Sequence, residues 1–245
     1  MKIAAWNIRF GGENHSDLAG AIAAHDPDVI VLSEHQREKS KPLVGMLQQR
    51  GWTSFQCSDT EGNRNGVAIL SRREMTSAPS PFGEEPFSWW GVEGLIDGIA
   101  VIGGYAPLSS SWGSSPEIQR EFWNRVHRVV ESRRQTPVLL IGDFNTCARL
   151  TDGPNPQPCW DAFEHLSTLG WTDAWRAANP GENDFSWVQR RVEPPTFWRI
   201  DHAFTSPLLT PAARACEYSH LERETKLSDH AMLLLDLDLE PVSHT

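Results

Sequence analysis

No stretch of this 245-residue chain approaches the roughly 20 consecutive apolar residues of a membrane-spanning helix. No long apolar leader precedes the first strand-like segment, Met1-Lys2-Ile3-Ala4-Ala5-Trp6. The expectation is a cytoplasmic, monomeric protein with no membrane attachment and no obligate protein partner. Cysteine is scarce and scattered: Cys57, Cys147, Cys159 and Cys216 show no CxxC spacing and no histidine-rich surroundings. That excludes the usual zinc patterns and predicts free thiols, a Cys147–Cys159 bridge being conceivable only after export. Positive charge is also in deficit, at 22 Lys and Arg against 32 Asp and Glu, for a net charge of −10. A broad electrostatic footprint for nucleic acid is thereby disfavoured. A local grip by a few arginines is not, and a carboxylate-lined metal site would itself add negative charge. The pairs Arg72-Arg73, Arg133-Arg134 and Arg190-Arg191 read first as solvated surface. Repeats, linkers and low-complexity tracts are missing, so one domain over 1–245 is expected.

What is present is a series of apolar segments separated by Gly- and Pro-marked turns, with a hydrophobic fraction of 39 %. That is enough for a sizeable core. Strands are expected at 2–8, 28–32, 52–57, 66–71, 90–96, 98–105, 138–141, 185–189, 198–205, 213–218 and 230–239. Helices are expected at 16–25, capped by Ser16-Asp17, at 42–50 and at 159–169. The clearest helix spans 116–134, where Ile118, Phe122, Val126 and Val130 recur every four residues, widened by Val129. Ser114 and Glu117 could close a capping box around Pro116.

Polar groups suited to metal or phosphate stand where apolar strands end: Asn7, Glu34, Tyr105, Asp143 with Asn145, and Asp229 with His230. Each has an ordinary explanation as a cap or an Asx turn. Five at strand ends make that explanation much weaker, because strand ends gather at one rim of a sheet.

The ordered set Trp6-Asn7, Glu34, Asn65-Gly66-Val67-Ala68-Ile69-Leu70-Ser71-Arg72, Tyr105-Ala106-Pro107, Gly142-Asp143-Phe144-Asn145, Arg199-Ile200-Asp201 and Ser228-Asp229-His230 resembles the endonuclease/exonuclease/phosphatase superfamily from end to end. The start looks like pancreatic-type deoxyribonucleases. Leu169–Arg176, Phe185-Ser186-Trp187 and Tyr105 look like exonuclease III and the abasic-site endonucleases. The resemblance implies an α/β fold, a four-layer sandwich of two packed mixed β-sheets flanked by helices. It further implies a divalent-metal-dependent phosphodiesterase, DNA as substrate and a place in DNA repair. Glu34 and Asn7 are hard oxygen donors suited to Mg²⁺ or Mn²⁺, with Asp229 in support. Asp143 matches the family's general base, Asn145 its positioning partner and a phosphate contact, His230 the phosphoryl contact and Asp201 the carboxylate behind that histidine, while Tyr105 would lie beside the phosphate or the leaving group. Trp187 and Trp198 match two aromatic positions lining a pocket for an extrahelical sugar. Arg9 and Arg72 are candidate phosphate contacts.

Two departures stand out. Ser33 occupies the position where glutamine is usual, and Arg9 the position where abasic-site enzymes carry Asp or Asn. The loop from Asn145 to Trp160 is also shorter than in exonuclease III-like enzymes. A phosphatase or phosphodiesterase acting on a nucleotide, inositol phosphate or lipid headgroup is the competing expectation. A catalytically dead binding module fits poorly, since every core position holds a competent residue.

Overall fold

Alternating faces along the strands decide the architecture of this computed structural model, which describes residues 1–108, 115–189 and 193–239. In chain order the elements are β1 (Lys2–Asn7), α1 (His15–His25), β2 (Val29–His35), α2 (Lys41–Gln49), β3 (Ser54–Cys57), β4 (Gly66–Ser71), β5 (Thr76–Ala78), β6 (Gly91–Ile96), β7 (Ile99–Tyr105) and α3 (Pro116–Ser132). They continue with β8 (Val138–Asp143), α4 (Trp160–Thr168), β9 (Thr172–Asp173), α5 (Ala174–Ala178), β10 (Trp187–Gln189), β11 (Thr196–Trp198), β12 (Asp201–Thr205), β13 (Ala213–Ser219), α6 (Leu221–Glu224) and β14 (Met232–Leu237). Two six-stranded sheets run β13-β14-β1-β2-β4-β3 and β5-β6-β7-β8-β12-β9, and β10-β11 form a separate ribbon. Both large sheets are mixed: β1 with β2 and β7 with β8 are parallel, and the other pairings are antiparallel.

In the first sheet Ile3, Ala5, Val29, Val31, Val67 and Ile69 join the central core with the second sheet. The alternate residues Ala4, Trp6, Ile30, Leu32, Ala68 and Leu70 face outward onto α1 and α2. This period of two, apolar on both faces, is what a sheet covered on both sides requires. On the far side α3 and α4 cover the second sheet through Phe122, Trp123, Val126, Phe163 and Leu166. The expected sandwich is therefore the observed one. Among the described residues no helix is long and apolar enough to cross a membrane, and all four cysteines are free.

The structure corrects several boundaries. Helix α1 follows Asn14, which is left-handed and makes no side-chain cap, so Ser16-Asp17 do not cap it. Ser115 caps α3 by accepting the Ile118 N–H at 3.3 Å, and Ser114 lies outside the described residues. The strand expected at 198–205 is two strands in different sheets. Arg199 interrupts it because its buried guanidinium turns to Asp152 and Asp173, at 2.7 Å each. Strand β2 runs past 32 to His35 through an irregularity between Ser33 and His35.

Candidate active site

The candidate residues come from both sheets and meet at one end of the sandwich. Asn7 closes β1, Glu34 occupies the bulge of β2, and His230 precedes β14, all in the first sheet. Tyr105 closes β7, Asp143 closes β8, and Asp201 opens β12 directly opposite Asp143 in the register of the second sheet. Glu34 does not follow a strand end as expected. It sits within β2 at φ 54°, and this left-handed bulge re-aims its carboxylate towards Asn7.

Three polar heads converge on the Asn7 amide. Its Nδ2 donates to Glu34 Oε1 at 3.1 Å and to Asp143 Oδ2 at 2.8 Å, while its Oδ1 accepts the Arg9 N–H at 2.9 Å. The Phe10 N–H donates to Glu34 Oε2 at 2.8 Å, and the Tyr105 hydroxyl lies 3.5 Å from Glu34 Oε1. Asn145 holds Asp143 from behind, its N–H donating to Oδ1 at 2.9 Å and its side-chain amide to the Ala106 carbonyl at 2.8 Å.

Opposite this cluster, His230 Nδ1 donates to Asp201 Oδ2 at 2.8 Å, with both residues buried. Burial alone would lower the His230 pKa. The charge and hydrogen bond of Asp201, then the charges of Asp143 and Asp229, outweigh it and raise the imidazole to about 10. Burial and then the charge of Asp201 raise the Asp143 carboxyl to about 8, against the pull of His230. Burial, reinforced by Glu34, holds the Tyr105 phenol well above its ordinary range.

Several supports escaped the sequence reading. Ser228 Oγ donates to the Asn7 carbonyl at 2.6 Å and accepts the His230 N–H at 3.1 Å, tying two chain ends together. Ser186 Oγ accepts the N–H groups of Ile200 and Asp201, both at 3.0 Å. Tyr218 donates to the Asp201 carbonyl at 2.5 Å. Both serines lie inside quoted motifs, which was the available signal. Ser33, small where glutamine is usual, fits between the sheets and receives the Asp143 N–H at 3.4 Å.

The other candidates separate. Trp187 borders the site, with Nε1 on Asp229 Oδ2 at 3.1 Å and its ring 6.3 Å from His230. Trp198 is buried beside Cys147 and Ile200, and its ring packs 5.5 Å from Trp187 at 34°. The two indoles fill the space between them, so the pair does not form two walls of an open slot. Asp229 stands on this Trp187–His230 side rather than among the Glu34 contacts. Arg9 is exposed at the rim. Arg72 is not at the site. It follows the far end of β4, pairs with Asp26 and stacks 4.0 Å over Trp52. Its neighbour Ser71 is opposite Val29, at the other end of β2 from Glu34.

The donor chemistry fits a hard divalent cation. Glu34, Asp143 and Asp201 crowd negative charge into a largely buried pocket whose side-chain donors are oxygens and one imidazole. Asp143, Asp201 and His230 offer ligand atoms within 4.8 Å of one another. His230 spends Nδ1 on Asp201, and the Glu34 carboxylate faces the same cluster through Asn7.

The chain belongs to the Endonuclease/Exonuclease/phosphatase family, which matches residues 4–230. Its fold is similar to that of an AP endonuclease from Archaeoglobus fulgidus, at 21 % identity and a TM-score of 0.84, covering 98 % of this chain and 100 % of that one. It is likewise similar to a Neisseria 3′ phosphatase bound to a product DNA hairpin (23 % identity, TM-score 0.82) and to a 3′-5′ exonuclease from Neisseria meningitidis (22 %, 0.79), each over 98 % of this chain and 100 % of theirs. No curated protein matches by sequence.

Proposed function

We propose that the protein is a DNA nuclease, an abasic-site endonuclease or 3′-exonuclease, that hydrolyses a phosphodiester with a water activated by Asp143. The observation that carries this reading is the placing of the Glu34–Asn7–Asp143 cluster opposite the Asp201–His230 pair, across the junction of the two sheets. Glu34 and Asn7 would hold Mg²⁺ or Mn²⁺, with Asp229 supporting from the Trp187 side. The bound cation would neutralise charge on the scissile phosphate and the leaving oxygen.

Beside a bound cation the ionised Asp143 is favoured against the burial and the Asp201 charge that raise it; the carboxylate then accepts a proton from the attacking water as the water oxygen bonds to phosphorus and the bond to the leaving oxygen breaks. The Asn145 N–H fixes the carboxylate for that transfer. Asp201 fixes the His230 tautomer and keeps the ring protonated, leaving Nε2–H to donate to a phosphoryl oxygen. Tyr105 lies beside Glu34, where its hydroxyl can reach the same phosphate.

The matched proteins whose names specify DNA chemistry support DNA as substrate. The net charge of −10 favours the competing small phosphorylated substrate. The test sets abasic duplex, intact duplex, single strand, RNA and bis(p-nitrophenyl) phosphate side by side with Mg²⁺. Cleavage of DNA at least about ten-fold more efficient than of the small diester is expected, with all activity lost on exhaustive chelation. Full turnover after chelation would remove the cation from the mechanism.

A further inference from the structure

The turn that follows Asn7 holds an aromatic ring out of the protein at a conformational cost. Arg9 and Phe10 have φ of 56° and 47°, and Gly11 and Gly12 continue at 79° and 80°. Glycine takes this left-handed region freely, whereas a bulky aromatic there is an outlier. Phe10 is nevertheless 56 % exposed, so its ring gains little from burial. Asparagine or glycine would fold at this position with less strain.

The turn is fixed from several directions. The N–H groups of Phe10 and Gly11 donate to Glu34, at Oε2 and at the carbonyl, both 2.8 Å. The Gly12 N–H returns to the Arg9 carbonyl at 3.0 Å. Lys39 Nζ reaches the Phe10 carbonyl at 2.6 Å, and Ser40 Oγ the Gly11 carbonyl at 3.1 Å. A Cβ on Gly11 would meet the Cβ atoms of Gln36 and Lys39 at 3.0 and 3.1 Å, so the turn lies tight against that segment. The ring is thus presented in a set position one hydrogen bond from Glu34. Beside it, the Arg9 guanidinium has no carboxylate partner among the described residues, whereas Arg37, Arg72 and Arg73 each have one.

Strain held in place at a site and unrewarded by folding points to a ligand. We propose that Phe10 engages the substrate: its ring stacks on a base or deoxyribose of the DNA strand beside the scissile phosphate, with Arg9 taking a neighbouring phosphate. This rests on the nuclease reading above. An apolar ring flanked by cations matches the alternation of base and phosphate along a strand. It is too small a surface for a protein partner, which needs about 800 Å² on each side.

The test compares wild type, Phe10→Asn and Phe10→Tyr by kcat/KM on an abasic duplex and on bis(p-nitrophenyl) phosphate, with Mg²⁺ and thermal midpoints. Asparagine tolerates the left-handed turn and removes the ring; tyrosine keeps the ring. The loss in Phe10→Asn should be about ten-fold greater on DNA than on the small diester, with the midpoint not lowered and Phe10→Tyr near wild type. Equal losses on both substrates, a lowered midpoint that accompanies the loss, or no recovery in Phe10→Tyr would overturn the inference and leave the nuclease reading standing. Failure of the wild type to cut DNA would overturn both.

Discussion

Asp143 and His230 reach the candidate site from opposite sheets, and each is fixed by a hydrogen-bonding partner. The Asn145 N–H sets one oxygen of Asp143, and Asp201 sets the tautomer of His230. Replacing either active group while its partner remains should therefore remove chemistry and spare the fold. Asp143→Asn and His230→Ala are each expected to lower turnover at least about 100-fold. Circular dichroism should show both variants folded, with the midpoint of Asp143→Asn close to wild type and that of His230→Ala lowered because Asp201 loses its buried partner; near-normal rates in either folded variant would remove that residue from its role. These two residues were legible because each adjoins an unmistakable apolar run, Val138–Ile141 and Ala231–Leu235. Arg72 was misread for the opposite reason: it adjoins a motif whose other end carries the site. Adjacency in sequence does not say which end of a strand a residue occupies. Trp198, expected as a pocket wall, is buried instead, because Cys147 and Ile200 meet it from the neighbouring loop and strand.

At the scale of elements, the break between β11 and β12 is held by the Arg199 ion pairs. Its guanidinium bonds both Asp152 and Asp173, with Arg199 and Asp152 fully enclosed. Removing the cation leaves Asp152 only Arg176 and Asp173 only His202 as ion-pair partners among the described residues, so Arg199→Met should cost about 3–5 kcal/mol of stability, read by denaturant unfolding. Burial alone would raise both carboxyl groups. The charge of Arg199 outweighs it and holds Asp152 below the ordinary range and Asp173 well below. A depressed folded pKa contributes stability that is fully present above the unfolded value, about 3.9. That contribution is lost as the pH falls through the folded values. Wild-type stability should hold down to about pH 4 and fall steeply below it, and the acid-sensitive part should shrink in Arg199→Met. An unchanged acid limb in the variant would remove the cluster as its source. None of this was visible in the sequence, because the partners of Arg199 lie 26 and 47 residues away. The β2 bulge was hidden similarly: Val29–Leu32 announces a strand, but nothing local announces that Glu34 turns left-handed within it.

For the whole molecule, the scarcity of unpaired cations limits how DNA could be held. Among the described arginines, Arg9, Arg64, Arg134 and Arg149 have a guanidinium with no carboxylate or carbonyl partner, and the other described ones are engaged. Arg9, Arg64 and Arg149 lie on segments after β1, before β4 and after β8, at the site end of the sandwich. Three phosphate contacts predict a slope of log Kobs against log salt of about −3 on duplex DNA. This can be measured by fluorescence anisotropy without catalysis, in chelator. A slope steeper than about −6 would require a wider footprint than these three cations supply.

Strand β14 lies between β13 and β1, so the first sheet sets Lys2 opposite Asp236, and His230 stands directly ahead of this interior strand. A partly folded chain in which β14 has not docked can hold Asp143 opposite Asp201 and still lack the imidazole. Until β14 inserts, the first sheet is split between β13 and β1. Completion of the candidate site thus waits on the docking of one interior strand.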